Sequence, residues 1–204
     1  NITANGGSDT IDGGAGNDVI YAGGGANSVL GGIGDDSMAA NGGNDTMDGG
    51  AGNDTILAGD GHNSVLGGTD NDAIMSGSGN DTINAGTGND SVDAGDGNNT
   101  VFGGAGNDTI TTGSGDDTIN ANGDNDVVDA GDGNNNVIGF TGNDLLVTGS
   151  GNDIVNGGDG NDTISAGDGN NLIMDANGDD LITTGEGSDT IWAGNGNDTV
   201  DPGA

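Results

Sequence analysis

The chain has 204 residues, of which 49 are Gly and 34 are Asp or Glu; with no Lys or Arg, its formal charge is −34, and there is no Cys. That balance excludes nucleic-acid binding through basic contacts, a basic membrane-surface helix, disulfides and thiolate metal sites. Hydrophobic residues make up 29% and aromatics 2%, too few for a conventional globular core, and no apolar run approaches the roughly 20 residues of a bilayer span.

High charge with low hydrophobicity ordinarily signals disorder, but the residue order here is regular. Starting at Ile2, an aliphatic residue returns every ninth position, through Ile11, Ile20 and Val29 to Ile182, Ile191 and Val200. Residues 4–201 divide into 22 nonapeptides, as in Gly13–Tyr21 (GGAGNDVIY) and Gly49–Leu57 (GGAGNDTIL). Collagen is excluded, because it needs much Pro and Gly at every third position, whereas Pro202 is the single Pro. Numbered within the nonapeptide, position two is mostly Gly, position four is Gly except at Asp70 and Asp124, and position six is always Asp or Asn. Gly at these places supplies positive φ or close backbone approach. Positions seven to nine read as a three-residue strand with the middle side chain facing inward. The reading is one continuous unit over 1–204, all-β, with each repeat a Gly-rich turn followed by a short strand.

These residues resemble the repeats-in-toxin (RTX) family, whose consensus G-G-x-G-x-D-x-U-x marks a calcium-binding parallel β-helix. The resemblance spans essentially the whole chain. It implies a right-handed parallel β-roll with two nonapeptides per 18-residue turn and about 11 turns. It also implies multiple Ca2+ ions held in the turns by position-six Asp carboxylates and loop carbonyls. Calcium's demand for six to eight oxygens suits Gly-rich turns carrying Asp. A core of two aliphatic residues per turn cannot offset backbone ordering at about 1–2 kcal/mol per residue, so metal binding is expected to complete the fold.

With two repeats per turn, position six falls into two columns. One holds Asp18, Asp36, Asp54, Asp72, Asp90, Asp108, Asp126, Asp144, Asp162, Asp180 and Asp198. The other alternates: Asp9, Asn27, Asp45, Asn63, Asp81, Asn99, Asp117, Asn135, Asp153, Asn171 and Asp189. The Asp members of both columns are the expected metal ligands. Asn is expected to offer its side-chain oxygen with less charge, so the all-Asp column should bind more tightly. Four of the Asn loops carry Asp at position three instead, at Asp60, Asp96, Asp132 and Asp168, which could compensate.

A 36-residue period also places Leu30, Leu66, Phe102, Ile138 and Met174 at position nine, on the outer face, between Asp12, Asp48, Asn84, Asn120 and Asn156. This row is read as a contact surface for self-association, set against the plainer reading of scattered apolar residues on a β surface. His62 stands at the variable position five and reads as a solvated loop residue. Asp175, Asn177, Asp179 and Glu186 match the oxygen positions of an EF-hand loop, but Asp180 stands where Gly is needed. An enzyme is not expected, since the chain has no Cys, Lys or second His and a uniform carboxylate array separates no acid from base. The expected role is a secreted or cell-surface calcium-binding structural β-roll, a fibre, sheath or surface-layer block. The alternative is a calcium-triggered folding and secretion module of a larger type I-secreted toxin, adhesin or hydrolase; an array opening and closing within a repeat fits such a piece. Ice binding ranks low, because only Thr109-Ile110-Thr111 gives Thr-x-Thr cleanly.

Overall fold

A computed structural model describes residues 1–203, and it is all-β. Twenty-three short strands form two parallel sheets, one of 12 strands and one of 11, with consecutive strands alternating between sheets. Each strand therefore pairs with the strand one full turn away. The register is 18 residues throughout most of the stack: Ile2↔Ile20, Ile83↔Val101 and Val128↔Leu146. The result is a β-solenoid of about 11 turns, as the family resemblance implies. One irregularity interrupts the register between Tyr21 and Gly23, which pair with Ala39 and Ala40.

The inward position-eight residues stack into two facing rows. From Ile20 to Ile182 each is no more than 3% exposed, with Ala22, Ala58, Ala94 and Ala130 of position one filling the gaps between them. Toward the last turn the core opens, Ile191 being partly buried and Val200 41% exposed.

Strand length departs from the expected three residues on one sheet. The 12-stranded sheet mostly keeps it, as in Thr55–Leu57 and Ala73–Met75, but the 11-stranded sheet runs six residues in Thr10–Ala15, Ser64–Thr69 and Thr100–Ala105. There the ladder continues through positions two and three, pairing Gly14 with Gly32 and Ala15 with Ile33. Side-chain periodicity shows which residues face inward, whereas a backbone ladder continues through residues with no inward side chain. Gly32 shows what favours glycine at position two: its φ is +118°, and a Cβ there would land on the carbonyl of Gly14 one turn below.

The two kinds of connection define two columns of loops. Loops entered from the 11-stranded sheet carry the all-Asp series, and loops entered from the 12-stranded sheet carry the alternating one. The outer row is found on the 11-stranded sheet: Leu30, Leu66 and Phe102 are exposed, whereas Ile138 and Met174 are half-buried. Each is flanked by polar strand partners, such as Asp48 beside Leu30 and Asn120 beside Phe102, until Met174 meets Trp192.

Candidate metal centre

Position six turns inward at nearly every loop. Asp54, Asp108 and Asp126 are no more than 2% exposed. Each backbone N–H at this position donates to Oδ1 of the position-six side chain one turn further along: Asp36 to Asp54 at 2.8 Å, Asp108 to Asp126 at 2.8 Å, Asp144 to Asp162 at 2.8 Å. This ladder runs from Asp18 to Asp198. One carboxylate oxygen thus holds the neighbouring loop in place, and the other is left over. Oδ2 of Asp36, Asp54, Asp72, Asp90, Asp108, Asp126, Asp144, Asp162 and Asp180 is buried without a partner.

Buried polar atoms are ordinarily satisfied, and a buried ionised oxygen without a donor is costly. The cost shows in the acidity of the row. Burial, reinforced by neighbouring carboxylates, pushes Asp54, Asp108 and Asp144 up to about 6, and Asp72 and Asp126 up to about 7. Position one supplies the rest of the cradle. A Cβ on Gly31 would lie 2.6 Å from Asp36 Oδ2 and 2.6 Å from the carbonyl oxygen of Gly49; at Gly103 the distances to Asp108 Oδ2 and the Ala121 carbonyl are 2.6 and 2.8 Å. Bare glycine therefore leaves a space bounded by a carboxylate and a carbonyl. Oxygen donors alone, with uncompensated negative charge, suit a hard cation such as Ca2+, so the residues fit the ion that the resemblance implies.

The alternating column is built differently. Oδ2 of Asp9, Asp45, Asp81, Asp117, Asp153 and Asp189 is again buried and unpartnered. Asn does not offer its oxygen, contrary to the expectation from sequence. Its Oδ1 accepts the N–H of the preceding Asp, as from Asp45 to Asn63 and Asp81 to Asn99, both at 3.0 Å. Its Nδ2 then faces the loop carbonyls: Asn27 donates to Gly25, Asn63 to Gly59 and Ser76, Asn99 to Gly95 and Gly97, Asn135 to Gly131, and Asn171 to Gly167. The partners at each end fix the amide's orientation. Burial still raises Asp81, Asp117 and Asp153, opposed by the backbone N–H groups of Asn63, Asn99 and Asn135 one turn below, which donate to Oδ1.

Compensation by position three is also corrected. Asp60, Asp96 and Asp132 lie on the outside, where Oδ1 accepts both the N–H and the hydroxyl of Ser78, Ser114 and Ser150 at 2.7–3.0 Å. Asp168 accepts the N–H of Glu186 at 2.8 Å. The serine bonds hold Asp60, Asp96 and Asp132 below the usual carboxylate range. These side chains already have donors and do not stand in for the missing inner charge.

Of the expected ligands, Asp18 and Asp198, in the end loops, are outside the row of unpartnered oxygens, and the other fifteen are in it. Sequence reasoning missed two features. Position five forms an exposed ladder of its own, in which Asn53, Asn71, Asn89, Asn107 and Asn125 each accept through Oδ1 the N–H one turn above. His62 joins the equivalent ladder on the other side, its Nδ1 accepting from Asn80 N–H at 2.9 Å. Asn at most position-five places was the available signal. The second feature is Asp175. The EF-hand-like stretch adopts strand and loop rather than helix, and within it Asp175 points into the all-Asp column. Burial, then the charges of Asp180 and Asp162, pushes it to about 7.

A family model described as RTX calcium-binding nonapeptide repeat (4 copies) matches residues 3–38, 39–74, 66–101, 75–110, 102–137, 138–173 and 175–204. No curated protein matches the chain.

Proposed function

The chain belongs to the RTX calcium-binding nonapeptide-repeat family, and on that premise we propose that it is an extracellular structural β-roll. It is one continuous unit over residues 1–204 that folds as it binds Ca2+ and then associates side by side into a fibre, sheath or surface layer. The observation that carries calcium-coupled folding is the pair of buried rows of carboxylate oxygens without donors. When bound, calcium would supply positive charge in those rows and take their unpartnered oxygens as ligands. The chain's own residues do the rest. Position-six Asp residues are the assigned ligands, each with Oδ1 fixing a loop and Oδ2 turned inward, and position-one carbonyls complete the cradles. Calcium near the roughly millimolar level typical of extracellular modules is the expected trigger. The role is structural rather than catalytic.

Association rests on the outer row of Leu30, Leu66, Phe102, Ile138 and Met174, spaced by 36 residues, or two turns. That spacing amounts to about 9–10 Å along the sheet, and a neighbouring rod with the same period meets the row in register. Each large apolar side chain buried fully contributes about 1.5–3 kcal/mol. The test is electron microscopy of the chain in calcium and in chelator, with a variant carrying Asn at all five positions. Calcium-dependent filaments lost in the variant are the expected result. Isolated short rods from the parent chain would favour the other reading, a folding and secretion module of a larger type I-secreted toxin, adhesin or hydrolase.

A further inference from the structure

We propose that Asp162, Asp175 and Asp180 form a three-carboxylate cation site that differs from every other turn of the rod and fills first. Asp175 is the only acid at position one, where the other repeats carry Gly, Ala, Ser or Thr and the last, partial one Pro202. Asp162 and Asp180 are successive members of the all-Asp column, each 2% exposed. One carboxylate oxygen from each of the three lies within 4.8 Å of the others. Oδ2 of all three is buried without a hydrogen-bond partner.

The surroundings are shaped for the extra side chain. Asp175 Oδ1 accepts the N–H of Gly158 at 2.9 Å and of Ala176 at 3.0 Å, which fixes the carboxylate and leaves its other oxygen for the cluster. Gly157 makes the space: a Cβ there would lie 2.6 Å from Asp162 Oδ2 and 2.6 and 2.8 Å from the two Asp175 oxygens. At Gly31, Gly103 and Gly139 the corresponding neighbour is a backbone carbonyl of the next turn. The Asp175 carboxylate takes that place here. The local strand ends at Met174, just before Asp175, after three residues, where most strands of this sheet run six. A third carboxylate adds a full charge to a site otherwise made of two, and ligand charge count sets calcium affinity. A divalent cation, or a lanthanide of similar oxygen preference, is the ligand this chemistry takes.

The inference rests on the reading that position-six Asp residues hold calcium, and one experiment separates the two. The only Trp, Trp192, is the strand neighbour of Met174, and its carbonyl accepts the Asp175 N–H at 2.7 Å. Terbium luminescence excited through Trp192 therefore reports this turn. The full chain is titrated with Tb3+, then with Ca2+ as competitor, beside Asp175→Gly, which restores a common position-one residue, and Asp175→Asn, which keeps Oδ1 as an acceptor. Circular dichroism is followed in parallel. The expected result is a first, tight equivalent of luminescent Tb3+ in the parent, weakened roughly tenfold or more in both variants, with calcium-induced β signal retained. Unchanged first-equivalent binding in the variants, with calcium-induced folding intact, overturns the three-carboxylate site alone. Absence of any calcium-dependent β signal in the parent overturns the broader reading and this site with it.

Discussion

The two loop columns share one backbone plan and solve the same electrostatic problem differently. On the all-Asp side nine successive carboxylates, Asp36 to Asp180, each leave a buried oxygen without a donor. On the alternating side every second turn carries Asn, whose Nδ2 donates to the loop carbonyls and whose Oδ1 keeps the ladder going. An amide is both donor and acceptor, whereas an ionised carboxylate only accepts. Asn thus brings its own donor to every second turn, so dependence on calcium is expected to be greater on the all-Asp side of the rod. Backbone strain follows the same division. Among the described residues, all four non-Gly residues with left-handed φ belong to repeats of the all-Asp side, Asp70 and Asp124 in its loops and Asn122 and Phe140 near the ends of the strands that enter them.

The largest expected effect comes from removing calcium altogether. At neutral pH in chelator the unbroken all-Asp row has nothing to offset its burial, and the whole ladder should be lost, read as disappearance of β signal in far-ultraviolet circular dichroism. Retention of a full β spectrum would break the comparison, because it would show that unpartnered oxygens cost little here.

Exchanging the columns' side chains sharpens it. Asn63→Asp, Asn99→Asp and Asn135→Asp together convert much of the alternating side to the all-Asp pattern. Each replaces a donating amide with a buried unsatisfied oxygen, a cost of about 1–3 kcal/mol. The triple variant should need more calcium to fold and should bind more of it at saturation. Asp72→Asn, Asp108→Asn and Asp144→Asn should do the reverse. Calcium stoichiometry by equilibrium dialysis, with folding midpoints by circular dichroism, checks both directions. Equal stoichiometry in the two variants would mean that Asn binds as Asp does.

The solenoid was legible in the sequence because a nine-residue period in aliphatic and Asp positions fixes which side chains face inward. The division between columns was legible too, from the Asn at 27, 63, 99, 135 and 171. What Asn does there was not, since a one-letter pattern does not say which end of the amide meets an N–H and which meets a carbonyl. Asp175 was hidden for a different reason. Its spacing to Asn177 and Asp179 drew attention along the chain, while its partners Asp162 and Asp180 are brought to it by stacking. Position five looked variable because Asn, Asp and His differ in charge, although each supplies the acceptor its ladder needs.

Acid should separate the columns more gently. Asp72 and Asp126 are pushed up to about 7 and Asp54, Asp108 and Asp144 to about 6 by burial, from an ordinary value of 3.8. Between about pH 4 and 7 the folded chain then binds more protons than the unfolded one, so without calcium its stability falls as pH rises through that window. Stability in chelator should be greatest below the unfolded value and lost as pH passes 6 to 7. Protons take the place of the cation there. Circular dichroism in chelator from pH 4 to 8 should show β signal returning on acidification, and calcium affinity should fall over the same range. The Asp72→Asn, Asp108→Asn, Asp144→Asn variant should show a smaller pH response. A flat profile in the parent would remove the electrostatic basis of the comparison.

The smallest effect tests the strain that accompanies the all-Asp side. Phe140 occupies position two with φ +86° and is 60% exposed. A bulky residue held at such φ costs on the order of 1–3 kcal/mol, while glycine in its place costs about 0.5–1 kcal/mol through the freedom it gains when unfolded. Phe140→Gly should therefore stabilise the calcium-bound rod by about 1 kcal/mol. The same position four turns earlier gives the opposite control. Gly68 has φ +124°, and a Cβ there would fall on the carbonyl of Gly50, so Gly68→Ala should destabilise through both strain and collision. Thermal unfolding at saturating calcium measures both changes. Lowered stability in Phe140→Gly would mean that the ring, which lines a shallow outer groove with Ile138, Thr141 and Asn156, gains more from those contacts than its backbone loses, and the strain on this side would then be maintained by packing on the outer face.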